Sequence, residues 1–141
     1  VRFGDPETQS LLPLLESDLG GLMMAAVNGD LSAAKPVFSN ARACGVVVAA
    51  PGYPGSYPKN IPVDLSAASA LTAEGGSFLF HASTTRGADG VIRTGGGRCF
   101  TAVGIGSTWP EARDRAYTLA AAVHFEGSWY RPDIGARAYN E

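Results

Sequence analysis

Val91-Ile92-Arg93-Thr94-Gly95-Gly96-Gly97-Arg98-Cys99-Phe100-Thr101-Ala102-Val103 sets two runs of strand composition on either side of three glycines. Each run is short and rich in β-branched or aromatic residues, and the glycines break the chain between them. The same pattern extends toward the N-terminus. Gly45-Val46-Val47-Val48-Ala49-Ala50 is an apolar run closed by Pro51-Gly52. Phe78-Leu79-Phe80-His81 is another, with Glu74-Gly75-Gly76 before it and Ala88-Asp89-Gly90 after it. Short strands joined by tight turns predict a small antiparallel β domain over residues from about 37 to 105. The remaining Ala and Gly between about residues 66 and 106 read as turns and close packing.

Helical periods flank this region. On its C-terminal side, Thr108-Trp109-Pro110-Glu111 has the form of a capping box, with Thr108 as N-cap and Glu111 three residues on. Pro110 falls in the first turn, where a missing N–H costs little. Ala112, Ala116, Leu119, Ala120 and Val123 form one apolar stripe, small enough for the helix to lie close on a sheet. On the N-terminal side, Leu19, Leu22, Met23, Ala26 and Val27 share a helix face. Ser17 is the expected N-cap, Asp18 adds negative charge at the helix start, and Asn28-Gly29 is the stop. The Met23-Met24 pair reads as core filler. A shorter helical turn is expected over Pro6–Leu12, interrupted at Pro13.

Composition bounds the function. The chain has 141 residues, 45% hydrophobic and 17% charged, which is globular rather than disordered. Eleven Lys and Arg against thirteen Asp and Glu leave a net charge of −2, with no basic excess for nucleic acid and no basic block for a membrane surface. The apolar runs are too short to span a bilayer, and the first residues carry no apolar signal segment. The chain opens on Val1 rather than Met, within a charged motif, which predicts a piece of something longer. Cys44 and Cys99 form no CxxC or His/Cys cluster, so zinc is not expected and both read as reduced thiols in apolar strands.

Chemistry has few places to reside. There is no P-loop, and Gly95-Gly96-Gly97-Arg98 leads into a strand, which excludes a dinucleotide fingerprint. His81 and His124 read as structural. The glycine turn could offer backbone N–H groups beside a planar Arg98 cation and hold a carboxylate or phosphate, or be a plain hairpin turn. Arg2-Phe3-Gly4-Asp5-Pro6-Glu7 is denser, with three charged side chains on a loop stiffened by Gly4 and Pro6. Asp5 can cap the helical turn after it. Tyr53, within Gly52-Tyr53-Pro54-Gly55, is a packed aromatic or the wall of a cleft.

The run Arg2-Phe3-Gly4-Asp5-Pro6-Glu7-Thr8-Gln9 resembles the signature of the phosphoribosylamine–glycine ligases. The resemblance continues in order through Leu15-Glu16-Ser17-Asp18-Leu19, Gly52-Tyr53-Pro54-Gly55, Phe80-His81-Ala82, Thr94-Gly95-Gly96-Gly97-Arg98, Ala116-Tyr117 and Arg131-Pro132-Asp133-Ile134-Gly135. It departs at Ser83, where the family usually has Gly, and at Cys99, where it has an aliphatic residue. The resemblance implies an α+β chain. Residues 1–36 would be the end of an ATP-grasp domain, a helical arm, and 37–141 a small antiparallel β-rich C-terminal domain of rudimentary hybrid-motif type with a packed helix.

It also implies an activity: ATP-dependent joining of glycine to 5-phosphoribosylamine in purine synthesis, through an acyl phosphate, in the cytoplasm. ATP and magnesium would be bound mainly by the upstream ATP-grasp portion, with the metal ligands just ahead of Val1. By residue, Arg2 matches the arginine that faces the phosphates and the reacting carboxyl, the one catalytic assignment. Asp5, Pro6 and Glu7 match the loop facing phosphoribosylamine. Gly96, Gly97 and Arg98 match the turn that closes over the substrate cleft. Arg131 and Asp133 match a tail that packs on the ATP-grasp body. The fragment alone is expected to be inactive. Two other readings compete: a non-catalytic β-rich docking module of a carboxylase-type enzyme, and the same segment within a multifunctional purine enzyme. A charged substrate loop favours the ligase over the docking module.

Overall fold

The computed structural model describes residues 2–32 and 34–140. Among these described residues five strands form, β1 Arg42–Ala49, β2 Ser77–His81, β3 Thr84–Arg86, β4 Ile92–Thr94 and β5 Arg98–Gly106. Four α-helices accompany them, α1 Glu7–Leu11, α2 Leu19–Val27, α3 Ser66–Ala73 and α4 Trp109–Ala121, with 3₁₀ turns at Leu12–Leu14 and Ala136–Asn140. The architecture is α+β. Strand β5 lies between β1 and β2, antiparallel to both, and β3 pairs with β4 in a separate two-stranded sheet.

Alternation along the central strands builds the core. Val46 faces Ala102 and Val48 faces Phe100 across the β1–β5 ladder, and all four are fully buried. Helix α4 covers this face with Ala112, Ala116, Leu119 and Ala120, each inaccessible to solvent. Burying side chains such as Val48, Phe100 and Leu119 contributes roughly 1.5–3 kcal/mol each. The helix can come this close because β5 carries glycines beneath it. A Cβ on Gly104 would stand 2.3 Å from the Ala112 carbonyl oxygen, and one on Gly106 would stand 2.7 Å from the Ala112 nitrogen. The Thr108 cap is present, its hydroxyl accepting from the Glu111 N–H at 3.3 Å. The return bond is displaced by one residue: Glu111 Oε2 accepts from the Ser107 N–H at 2.7 Å and its hydroxyl at 2.8 Å.

The opposite face of the sheet receives the N-terminal segment. A Cβ on Gly45 would meet Ser10 Oγ at 2.5 Å, so α1 rests directly on β1. Backbone bonds from Glu16 N to Val37 O and from Ser39 N to Leu14 O clip the two parts of the chain together. Both tie in the stretch around residue 37, where the change of sequence pattern placed the start of the β region.

Four expectations are corrected. The N-cap of α2 is Asp18, whose carboxylate accepts from Gly20 N and Gly21 N, while Ser17 Oγ accepts from Val37 N at 2.7 Å. Met23 and Met24 are not core filler; they are 46% and 58% exposed, and α2 buries none of its residues. Residues 66–73 form helix α3 rather than turns, anchored by fully buried Ala68. The glycine turn does not close a hairpin, because β4 and β5 belong to different sheets. Among the described residues, no helix is long and apolar enough to cross a membrane.

Candidate functional site

Two of the residues singled out in the sequence, Asp5 and Arg98, come together where β5 begins. Arg98, first residue of β5, reaches back to the N-terminal loop. Its Nη1 donates to the Asp5 backbone carbonyl at 2.9 Å and its Nη2 to Asp5 Oδ2 at 3.1 Å. The other carboxylate oxygen, Oδ1, accepts from the side-chain amide of Gln9 at 3.0 Å. Asp5 is thus held at both oxygens, by a residue one helical turn on and by one 93 positions away. The Gln9 tie follows the i,i+4 geometry of a helix start. Gln9 stands in the charged motif, yet nothing in its residue type marked it as the partner of Asp5. Its own Oε1 is buried without a hydrogen-bond partner among the described residues.

The glycines carry Arg98 and are themselves packed. Gly96 and Gly97 are buried. The Gly95 N–H donates to Ser83 O, and the Gly97 carbonyl accepts from Ala50 N, both at 2.8 Å. A Cβ on Gly96 would stand 2.4 Å from Ser83 Oγ, and one on Gly97 would stand 2.1 Å from Tyr53 Cδ2. With a serine at 83 and a tyrosine ring at 53, no larger residue fits at these positions without a shift. Cys99 Sγ donates to the Gly96 carbonyl at 3.2 Å. Both departures from the ligase pattern, Ser83 and Cys99, therefore touch Gly96, and Ser83 N also donates to the Arg98 carbonyl at 3.0 Å.

A cleft of about 290 Å³ opens beside this contact. Gly45, Val47 and Ala49 of β1 make its floor, and Pro6, Tyr53 and Arg98 line it together with Trp129, Tyr130 and Arg131. Tyr53 is thus both a packed aromatic and a cleft wall. The tail that supplies the far side is firmly mounted. Trp129 exchanges backbone hydrogen bonds with Ala49, and its indole N–H donates to Ala50 O. The Tyr117 hydroxyl donates to Arg131 O and accepts from Ile134 N. Arg131 forms a two-point ion pair with Asp133, which holds the Asp133 carboxyl below the usual range, its bond to Arg131 being the main cause. The cleft thus gathers Pro6, Arg98 and Arg131. Arg2 and Glu7 are exposed and do not line it.

Other titratable groups sit apart from the cleft. His81 Nδ1 lies 2.9 Å from Thr84 Oγ1 and its ring packs edge-on against Phe100; burial, with a smaller push from Arg86, lowers its pKa. His124 exchanges backbone hydrogen bonds with Asp64. Cys44 and Cys99 are buried free thiols, and burial pushes the Cys99 thiol up to about 11. Among the described residues, no group of three or more His, Cys, Asp or Glu could hold a metal ion.

Comparisons with known proteins agree in direction. The family described as phosphoribosylglycinamide synthetase, C domain, matches residues 43–137. A trifunctional purine biosynthetic protein, adenosine-3, of Gallus gallus is 45% identical over 139 residues, 97% of this chain and 13% of that protein. A phosphoribosylamine–glycine ligase of Caldanaerobacter subterraneus is 40% identical over 136 residues, 96% of this chain and 31% of that one. The crystal structure of the Thermotoga maritima phosphoribosylamine–glycine ligase superposes with a TM-score of 0.78 at 35% identity, covering 94% of this chain and 31% of that one. The chain spans about a third or less of the length of these relatives.

Proposed function

The chain belongs to the family of phosphoribosylglycinamide synthetase C domains, and from that premise we propose that it is the C-terminal portion of an ATP-dependent ligase. The reaction is the joining of glycine to 5-phosphoribosylamine, giving glycinamide ribonucleotide, ADP and phosphate. Residues 1–36 are the end of the ATP-grasp domain and residues 37–141 the β-rich C-terminal domain. Curated relatives named as phosphoribosylamine–glycine ligases support this reading. The observation that carries it is the contact of Arg98 with Asp5, because it joins the turn that the resemblance lays over the substrate cleft to the loop that it turns toward phosphoribosylamine.

Each residue then has a task that needs no acid or base. Arg2, exposed at the start of the loop, faces the phosphates and the reacting carboxyl. Asp5, Pro6 and Glu7 face phosphoribosylamine, and Gly96, Gly97 and Arg98 close over the cleft. Phosphoryl transfer depends mainly on positioning and charge stabilisation, which suits guanidinium groups and backbone donors. ATP, when bound, supplies the phosphoryl group that activates the glycine carboxylate. On the resemblance, magnesium and most of the nucleotide contacts belong to the upstream portion, and the enzyme works in the cytoplasm.

A multifunctional parent is a second reading of the same chemistry. Relatives named as bifunctional and trifunctional purine biosynthetic proteins favour it. The test is phosphate release by the full-length protein with ATP, magnesium, glycine and 5-phosphoribosylamine, omitting each in turn. Release that requires all four supports the ligase. Release that ignores glycine or the amine overturns it. The 141-residue chain alone should release none above background.

A further inference from the structure

The Gly52-Tyr53-Pro54-Gly55 turn has no task in the chemistry above, yet it touches the turn that carries Arg98. The Tyr53 ring lies against the Cα of Gly97, where an added Cβ would meet Cδ2 at 2.1 Å, Cε2 at 2.8 Å and Cγ at 3.0 Å. Three ring atoms within this range mean that the ring covers the glycine rather than grazing it. Tyr57 backs the ring, with centroids 6.1 Å apart. The backbone on either side is tied as well: Ala50 N donates to Gly97 O at 2.8 Å, and Tyr53 N to Ala50 O at 3.2 Å. Arg98 follows immediately, with its side chain still 40% exposed at the cleft.

We propose that Tyr53 is a positioning residue for substrate binding, acting through Gly97 to hold the Arg98 guanidinium in register with the Asp5 loop. The inference rests on the ligase reading and adds a residue to it. An exposed arginine on a glycine turn has many rotamers and a mobile base, and ordering it costs affinity unless the scaffold fixes it beforehand. The ring supplies that fixation, and Gly97 is the residue that lets the ring approach. The Tyr53 hydroxyl has no hydrogen-bond partner among the described residues, so the ring alone carries the positioning role.

The test uses the full-length protein and compares Tyr53→Leu with Tyr53→Phe. Tyr53→Leu should raise KM for 5-phosphoribosylamine about ten- to a hundredfold, as expected when a binding group is displaced by about an ångström, with a much smaller change in KM for glycine. Tyr53→Phe should stay within about threefold of the parent, a range that spans under 1 kcal/mol. In an Arg98→Ala background Tyr53→Leu should add little, because the two act as a unit. Hydrogen exchange at the Gly95–Arg98 amides should quicken in Tyr53→Leu and not in Tyr53→Phe. If Tyr53→Leu unfolds the protein, Gly97→Ala, whose methyl would strike the ring, should give the same KM rise. Unchanged KM and exchange in Tyr53→Leu overturn the proposal. So does a Tyr53→Phe variant as impaired as Tyr53→Leu, which would make the hydroxyl a direct ligand. If the unsubstituted protein shows no ligase activity, the functional reading fails, and the exchange comparison alone then decides whether the ring holds the turn.

Discussion

Arg98 and Asp5 are bonded twice, guanidinium to backbone carbonyl at 2.9 Å and guanidinium to carboxylate at 3.1 Å, although 93 residues separate them. The pair is half exposed on both sides, at 40% and 53%. An ion pair this wet contributes about 0–1 kcal/mol to stability. Its value lies in geometry: it fixes one loop against the first residue of the central strand β5, at the rim of the cleft.

Arg98→Ala in the full-length protein should therefore separate stability from activity. The melting temperature should barely move. Transition-state stabilisation should fall by about 2–4 kcal/mol if Arg98 makes charge-assisted bonds to a substrate carboxylate or phosphate. Arg98→Lys should restore only part, because an ammonium cannot bond the Asp5 carbonyl and carboxylate in the planar two-point manner of a guanidinium. Steady-state kinetics with glycine and 5-phosphoribosylamine varied separately, beside a melting curve, make the check. A large drop in melting temperature with normal kinetics in the folded fraction would mark Arg98 as structural.

Gly104→Ala should be among the most damaging single-methyl additions to the core. The new Cβ would sit 2.3 Å from the Ala112 carbonyl oxygen and 2.4 Å from the Ala116 nitrogen, which are helix backbone and cannot rotate away. Helix α4 must lift from β5, at a cost of about 1–3 kcal/mol or more. Gly29→Ala tests the opposite case: it has open space around its Cβ but φ +70, so its cost is backbone strain alone. Denaturant unfolding of the two variants, read as a shift in midpoint, compares packing with strain. A Gly104→Ala midpoint equal to the parent's would show that α4 is more loosely seated than this geometry requires.

What the sequence revealed and concealed follows from how local each cause is. Strand β1 and strand β5 were legible because β-branched runs bounded by Pro and Gly have few other uses, and α4 because its cap and alanine stripe lie within one segment. Helix α3 was hidden: Ser66-Ala67-Ala68-Ser69-Ala70-Leu71-Thr72-Ala73 has no side-chain cap bond and buries only Ala68, so it carries little periodic signal. Ser17 misled for a non-local reason, since its hydroxyl is taken by Val37 N, twenty residues away. The charged loop and the Arg98 turn each stood out by composition. Their contact did not, because no local pattern encodes a pairing across 93 residues, and the same holds for the ring of Tyr53 over Gly97.

Cys99 should resist alkylation in the native protein until alkaline pH. Burial favours the neutral thiol and lifts its pKa from the ordinary value near 9 to about 11. The proton is held more tightly in the folded state, so this contribution is fully present below about pH 9 and is lost as pH rises through about 11. Cys99→Val removes the titration and also the 3.2 Å bond to the Gly96 carbonyl. Unfolding midpoints at pH 8 and pH 10.5 should diverge more for the parent than for Cys99→Val. Equal slopes for both would mean that Cys99 does not titrate in this window.

Helix α2 should govern how the 141-residue chain behaves by itself. It buries no residue in this structure, and Met23, Met24 and Val27 are 46%, 58% and 79% exposed. Exposed apolar residues gathered on one helix are what association surfaces are made of. Under the ligase reading they lie on the arm that continues into the upstream ATP-grasp portion, which would cover them in the complete enzyme. The isolated chain is therefore expected to self-associate as its concentration rises. Met24→Lys with Val27→Lys should suppress this, because two ammonium groups cannot be desolvated in a self-contact without partners. The melting temperature should hold, since neither side chain is packed in the core. Sedimentation velocity over a concentration series compares parent and double variant directly. If both associate to the same extent, α2 is not the sticky surface, and the 41% exposed Phe78 on edge strand β2 becomes the next element to substitute.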